Sequence, residues 1–299
     1  MSIIALQLRP VVRPDFIIEL TKMIIWVASY PKSGNTLLRS ILISLIYTDD
    51  GNVDFNKLKL IGNFPGGPFF EKFTSNFGDI KEISKYWIKA QEKINENKKL
   101  KFFKTHNAMC AINGNVFTNN KNTIGAIYVV RDPRDIVVSA SKYFNTSYEK
   151  TKNNMFNQYM DLIDTYKDKP INTFLGSWSD HYKSWIKINK NILLVKYENL
   201  INNKELEIRR LINFINKFTK FSVDEEKIKK CITSSSFENM KNMENKGLFN
   251  ENSKDLKGNN IPFFAHGKIG RWKNILKVEM VNEIEKKFYK EMSELNYLP

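Results

Sequence analysis

Ile24-Ile25-Trp26-Val27-Ala28 runs directly into Ser29-Tyr30-Pro31-Lys32-Ser33-Gly34-Asn35-Thr36, and Leu37, Leu38, Ile41, Leu42 and Leu45 follow at helical spacing. A short, wholly apolar run reads as a strand buried on both faces. Small and turn-forming residues end it, and the change of period then starts a helix, so the unit is strand, loop, helix. Residues 100–103, 124–130 and 192–197 read as further strands, with helical patterns over 79–97, 133–144, 176–189 and 203–216. Strands that alternate with helices predict a single α/β domain, its central parallel sheet flanked by helices. Residues 48–78 and 241–262 read as irregular, the second as a lid or a solvated insertion. Residues 1–22 read as an N-terminal extension and 23–299 as the domain.

The chain has 299 residues, with 47 Lys and Arg against 32 Asp and Glu, for a net charge of +15. Its 21 Phe, 12 Tyr and 5 Trp exclude global disorder, and two cysteines exclude a disulfide scaffold. No segment reaches the length of about 20 apolar residues that spans a bilayer, and no secretory signal is evident. The expected setting is therefore cytoplasmic. The charge excess asks for a polyanionic partner, whether nucleic acid, a membrane surface or a small molecule, or reflects a general abundance of lysine.

Four stretches carry chemistry. In the loop Tyr30 to Thr36, backbone N–H groups at a helix N-terminus face an anion, with Lys32 adding charge and Ser33 and Thr36 adding hydroxyls. No Gly-Lys-Ser/Thr closes this loop, which disfavours a P-loop NTPase. Tyr128-Val129-Val130-Arg131-Asp132-Pro133 brings Arg131 to the carboxyl edge of a strand, where open α/β sheets bind ligands, and Ser139 follows on the next helix. Alone, such an Arg-Asp cluster is more often a surface ion-pair network. Phe102-Phe103-Lys104-Thr105-His106 ends a third strand in an imidazole able to take a proton near neutral pH. Gly267-Lys268-Ile269-Gly270-Arg271-Trp272-Lys273 is a glycine-rich cationic loop.

In order and spacing these four stretches resemble the cytosolic-type sulfotransferases, in a bacterial-like branch. These enzymes move a sulfuryl group from 3′-phosphoadenosine 5′-phosphosulfate (PAPS) to a hydroxyl or amine and release adenosine 3′,5′-bisphosphate (PAP). The resemblance spans residue 24 to the C-terminus. It implies that Lys32, Ser33, Gly34, Asn35 and Thr36 form the 5′-phosphosulfate loop and that Arg131 and Ser139 hold the 3′-phosphate. It places Tyr197, Ser235 and Phe237 around the adenine, with Phe263, Phe264, His266, Gly267 and Lys268 as further donor contacts. His106 is implied as the general base, assisted by Lys32 and Lys104, and no metal is expected.

Three features depart from the family pattern. Leu37 stands where many relatives carry tryptophan, so the adenine relies on Phe237 and Tyr197. Ala265-His266 replaces an Arg-Lys pair, and the C-terminal dimer signature is only half present, leaving monomer and homodimer both open. The acceptor pocket is expected to draw on Phe64, Phe69, Tyr86, Tyr143 and Phe144 and to take a small hydroxylated or amine-bearing molecule, for example a secondary metabolite. The competing readings are a P-loop-type nucleotide kinase and a basic nucleic-acid-binding protein. The lysines are dispersed and no nucleic-acid-reading signature is present, so no nucleic-acid or membrane partner is expected.

Overall fold

In the computed structural model, which describes residues 23–187, 191–249, 251, 253–254, 260–265 and 267–298, the strand that opens the sequence lies at the centre. β1 (Ile24–Ser29) pairs in parallel on one side with β3 (Lys101–Thr105) and on the other with β4 (Thr123–Val130). β2 (Gly62–Asn63) adds outside β3, and β7 (Ile192–Lys196) adds outside β4, again in parallel. The five-stranded order is therefore β2-β3-β1-β4-β7. An antiparallel hairpin, β5 (Asp161–Tyr166) and β6 (Lys169–Phe174), stands apart from this sheet.

Alternation along β1 divides the core in two. Ile24, Trp26 and Ala28 pack into one apolar cluster with Phe64, Phe103 and Phe117, while Ile25 and Val27 join Leu38, Ile41 and Leu42 in the other. All six residues of β1 are buried, which only a sheet covered on both faces allows. α1 (Asn35–Ile46), α2 (Pro133–Tyr143) and α3 (Trp178–Ile186) begin shortly after strands or turns. Trp26 is fully buried, lies 5.2 Å from the Phe117 ring and 5.5 Å from Phe64, and donates to Thr123 Oγ1 at 2.8 Å. Trp26→Ala is expected to cost about 3–5 kcal/mol in urea denaturation. A loss under about 1 kcal/mol would show that this core does not rest on β1.

The expected parallel sheet and flanking helices are observed. Differences are local. The pattern over 79–97 is two helices, Ile80–Ser84 and Trp87–Asn95, broken at Lys85 and Tyr86. Tyr197 starts the helix Tyr197–Asn202 and does not end a strand. Residues 48–78 contain helical turns at Phe55–Leu60 and Gly67–Phe69, and α4 (Phe237–Asn245) covers the start of the stretch 241–262. The proposed 1–22 extension lies outside the described residues. Among the described residues no helix is long and apolar enough to cross a membrane.

Candidate active site

The loop after β1 is shaped by two left-handed residues, Lys32 at φ 64° and Gly34 at φ 104°. A Cβ on Gly34 would meet Cδ2 of Tyr197 at 2.4 Å, so glycine answers both the backbone angle and the close approach of this ring. Gly34 caps α1 without a side-chain hydrogen bond, leaving backbone donors of the first turn for a ligand. Asn35 fastens the loop to the strand: its Nδ2 donates to Val27 O at 2.9 Å and to Ser29 Oγ at 3.1 Å.

Lys32 points between two aromatic faces, with Nζ 3.7 Å from the Tyr143 ring centre and 3.8 Å from that of Phe263. Burial pushes its pKa down to about 7, and Arg131 and Lys104 nearby add to the shift. The rings favour the charged form, whereas the dry, cationic surroundings disfavour it. Glu244 fixes the second ring by accepting the backbone N–H groups of Phe263 at 2.6 Å and Phe264 at 3.0 Å.

At the end of β3, His106 Nδ1 lies 2.7 Å from Ser29 O. A carbonyl can only accept, so Nδ1 carries the proton and Nε2 keeps its lone pair. Burial, followed by the charge of Lys104, holds the imidazole well below its ordinary pKa, so it stays neutral at physiological pH. Behind it, the fully buried His181 donates from Nε2 to His106 O at 3.0 Å and accepts at Nδ1 from the Tyr128 hydroxyl at 2.8 Å. Lys104 is lowered by the same burial.

Arg131 follows β4. Its guanidinium carbon lies 4.2 Å from the Tyr197 ring centre, and Nη1 donates to Lys32 O at 3.3 Å. The guanidinium therefore spans the ground between the loop after β1 and the start of α2, which bears Ser139. Asp135 on the first turn of α2 accepts the N–H groups of Gly270 at 2.7 Å and Trp272 at 3.2 Å, bringing the C-terminal glycine loop alongside. A Cβ on Gly267 would lie 2.2 Å from Phe237, so this second glycine lets the backbone pass the ring.

These groups surround one cavity of about 930 Å³. Lys32, Gly34, Asn35, Thr36, Lys104, His106, Arg131 and Ser139 line it, as do Tyr197, Ser235, Phe237, Phe263, Phe264, Gly267 and Lys268. Tyr143 and Phe144 line it too. Ser33 lies beneath the wall, fully buried. Three aromatic residues expected to line the acceptor pocket do not reach the wall. Phe64 is fully buried between Trp26 and Phe117, Phe69 packs edge-on to Phe103 at 5.5 Å, and Tyr86 stacks on Phe73 at 5.3 Å. An apolar ring gains more from a packed core than from a wet wall. His266 lies outside the described residues.

Several wall residues were not singled out from sequence. Leu162, Ile163, Asp164 and Thr173 bring the β5–β6 hairpin to the cavity. Arg39 is 2% exposed and grips Glu251 with two nitrogens at 3.0 and 2.8 Å, and Thr36 Oγ1 donates to the same carboxylate at 3.4 Å. The one available signal was a charge on the otherwise apolar face of α1. Ser33 Oγ and Arg131 Nε are among the buried atoms at the site that have no hydrogen-bond partner among the described residues. With the glycine cradle and the uncapped helix, these orphaned atoms fit an anion-rich nucleotide such as PAPS.

Comparison with known proteins agrees with this geometry. The sulfotransferase domain family model matches residues 23–296. Sulfotransferase 1 family member D1 of Mus musculus is 26% identical over 284 residues, covering 94% of this chain and 85% of that relative. The amine sulfotransferase of Oryctolagus cuniculus is 26% identical over 275 residues, covering 90% of this chain and 81% of that relative. Among solved structures, mouse sulfotransferase SULT7A1 complexed with PAP aligns with TM-score 0.53 at 19% identity, covering 91% of this chain and 85% of that one. Retinol dehydratase in a complex with retinol and PAP gives 0.57 at 19% identity, covering 90% and 81%. With the family model spanning nearly the whole chain, the protein belongs to the sulfotransferase family and is a PAPS-dependent sulfotransferase.

Proposed function

We propose that the chain transfers a sulfuryl group from PAPS to a hydroxyl or amine of a small acceptor, with His106 as the general base. When bound, PAPS supplies the activated sulfuryl group. The observation that carries the assignment of roles is the convergence of His106, Lys32 and Lys104 on one cavity that the uncapped glycine loop also lines. His106 Nε2 takes the acceptor proton, because Ser29 O has fixed the proton on Nδ1 and burial keeps the ring neutral. Lys32 and Lys104 offset the negative charge that grows on the departing phosphate and the transferred oxygens. The 5′-end is held by residues 32–36 and the 3′-phosphate by Arg131 and Ser139, with Tyr197, Ser235 and Phe237 around the base.

The acceptor end combines Pro65, Phe144, Leu162 and Ile163 with the polar groups of Asn63, Asp164 and Thr173. That mixture supports a small, partly apolar molecule bearing a hydroxyl or amine, such as a secondary metabolite. We further propose a cytoplasmic protein, monomer or homodimer, that does not act on nucleic acid, with residues 1–22 an extension to the domain 23–299.

Lys32 gives this reading a pH test. Its pKa of about 7 without nucleotide lies far below that of an ordinary lysine, so the free site loses a proton as pH rises through 7. An anionic nucleotide favours the charged form and raises that pKa, so binding takes up a proton above pH 7 and affinity falls as pH rises. Calorimetry of PAP binding at pH 8.5 in two buffers of different ionisation enthalpy is expected to show more proton uptake in wild type than in Lys32→Arg, by up to about one proton. Equal uptake in the two proteins would contradict the assignment of Lys32 to the phosphate site.

A further inference from the structure

We infer that Asp135 is a positioning residue that makes the C-terminal loop, residues 267–273, part of the donor site and so sets the preference for a nucleotide with a 3′-phosphate. The inference rests on the reading of Arg131 and Ser139 as the 3′-phosphate pair. Asp135 is 2% exposed and sits in the first turn of α2, where a helix N-terminus favours a carboxylate. Oδ2 accepts Gly270 N–H at 2.7 Å, and Oδ1 accepts Trp272 N–H at 3.2 Å. Oδ2 also lies 3.9 Å from Arg131 Nη2. One carboxylate thus joins the guanidinium at the strand edge to a loop 135 residues further along the chain.

The loop is built to receive this contact. Gly270 adopts φ 70° and caps the helical turn Arg271–Asn274, directing its N–H inward. Trp272 lies under Arg134, whose guanidinium carbon is 3.8 Å from the ring centre, so the neighbouring arginine grips the same loop from its other side. The result brings Gly267, Lys268 and Arg271 to the cavity wall within reach of the Arg131 and Ser139 end.

A carboxylate at the edge of a phosphate site opposes anion binding by its own charge. Asp135 itself lines the cavity, but two amides take up its charge and Arg131 partly offsets it. In return the site gains the loop's backbone and the cations Lys268 and Arg271. Removing the carboxylate frees the loop and leaves Arg131 without its near anion. The loss then falls on the part of the nucleotide that this end of the cavity holds.

The test is isothermal titration of wild type, Asp135→Ala, Asp135→Asn and Arg131→Ala with two probes, PAP and adenosine 5′-monophosphate, which lacks the 3′-phosphate. Asp135→Ala is expected to weaken PAP by about 10- to 100-fold and to change the monophosphate by less than about twofold. Asp135→Asn, which keeps one carbonyl oxygen to accept an amide, is expected to lose less. Hydrogen exchange at the Gly270 and Trp272 amides is expected to accelerate in both variants. If Asp135→Ala fails to fold, Asp135→Asn decides on the same ratio of the two probes. PAP affinity unchanged at Asp135, or equal losses for both probes, would overturn the inference. If Arg131→Ala also left PAP unaffected, the 3′-phosphate reading itself would fail, and the two failures are thereby distinguished.

Discussion

His106→Ala is expected to lower sulfuryl transfer by about 10³-fold or more while leaving PAP affinity within about twofold of wild type. The prediction follows from what surrounds the imidazole. Ser29 O accepts a hydrogen bond from Nδ1–H at 2.7 Å, and burial next to the Lys104 charge keeps the ring neutral, so Nε2 is a ready proton acceptor at physiological pH. His106 lies on the cavity wall, and among the described residues its ring hydrogen-bonds through Nδ1 and not through Nε2. His106→Gln keeps a polar side chain without a titratable nitrogen and is expected to show the same loss. Single-turnover rates with saturating PAPS separate chemistry from binding. Near-normal turnover in either variant would remove His106 from the role of base.

Arg131→Ala is expected to raise the dissociation constant for PAP about 100-fold, about 2.7 kcal/mol, measured by titration calorimetry. Arg131 is 9% exposed, lies over the Tyr197 ring at 4.2 Å and retains a buried Nε without a partner among the described residues. A guanidinium held in place before the ligand arrives loses little entropy on binding, and an orphaned donor gains a bond when an anion comes. Arg131→Lys is expected to recover only part of the affinity, because an ammonium cannot reproduce the planar fork. Unchanged affinity in Arg131→Ala would contradict the assignment of the 3′-phosphate.

Much of the architecture was legible because it is local. Ile24 to Thr36 states a strand, a turn and a helix start within 13 residues, and the structure places that unit at the centre of the sheet. The two strand edges proposed here to hold the phosphates were legible for the same reason: each is an apolar run followed by polar residues. What escaped depends on distance in the chain or on competition between environments. Asp135 is paired with amides 135 and 137 residues away, and Arg39 with a carboxylate 212 residues away, neither of which any local pattern announces. Phe64 and Tyr86 are aromatic like Tyr143, yet core packing claimed Phe64 and a stack on Phe73 claimed Tyr86, which left Tyr143 beside Lys32. The β5–β6 hairpin turns at Lys167 and Asp168, both at positive φ, without the glycine that marks such turns in sequence, so its contribution to the cavity went unread.

The measurement that bears most directly on the chain's function is transfer of labelled sulfur from PAPS across a panel of small alcohols, phenols and amines, with ATP and magnesium as the rival donor. The expected result is label in at least one acceptor, with one PAP released per transfer, and loss of both in His106→Ala. Transfer of phosphate from ATP without any affinity for PAP would contradict it.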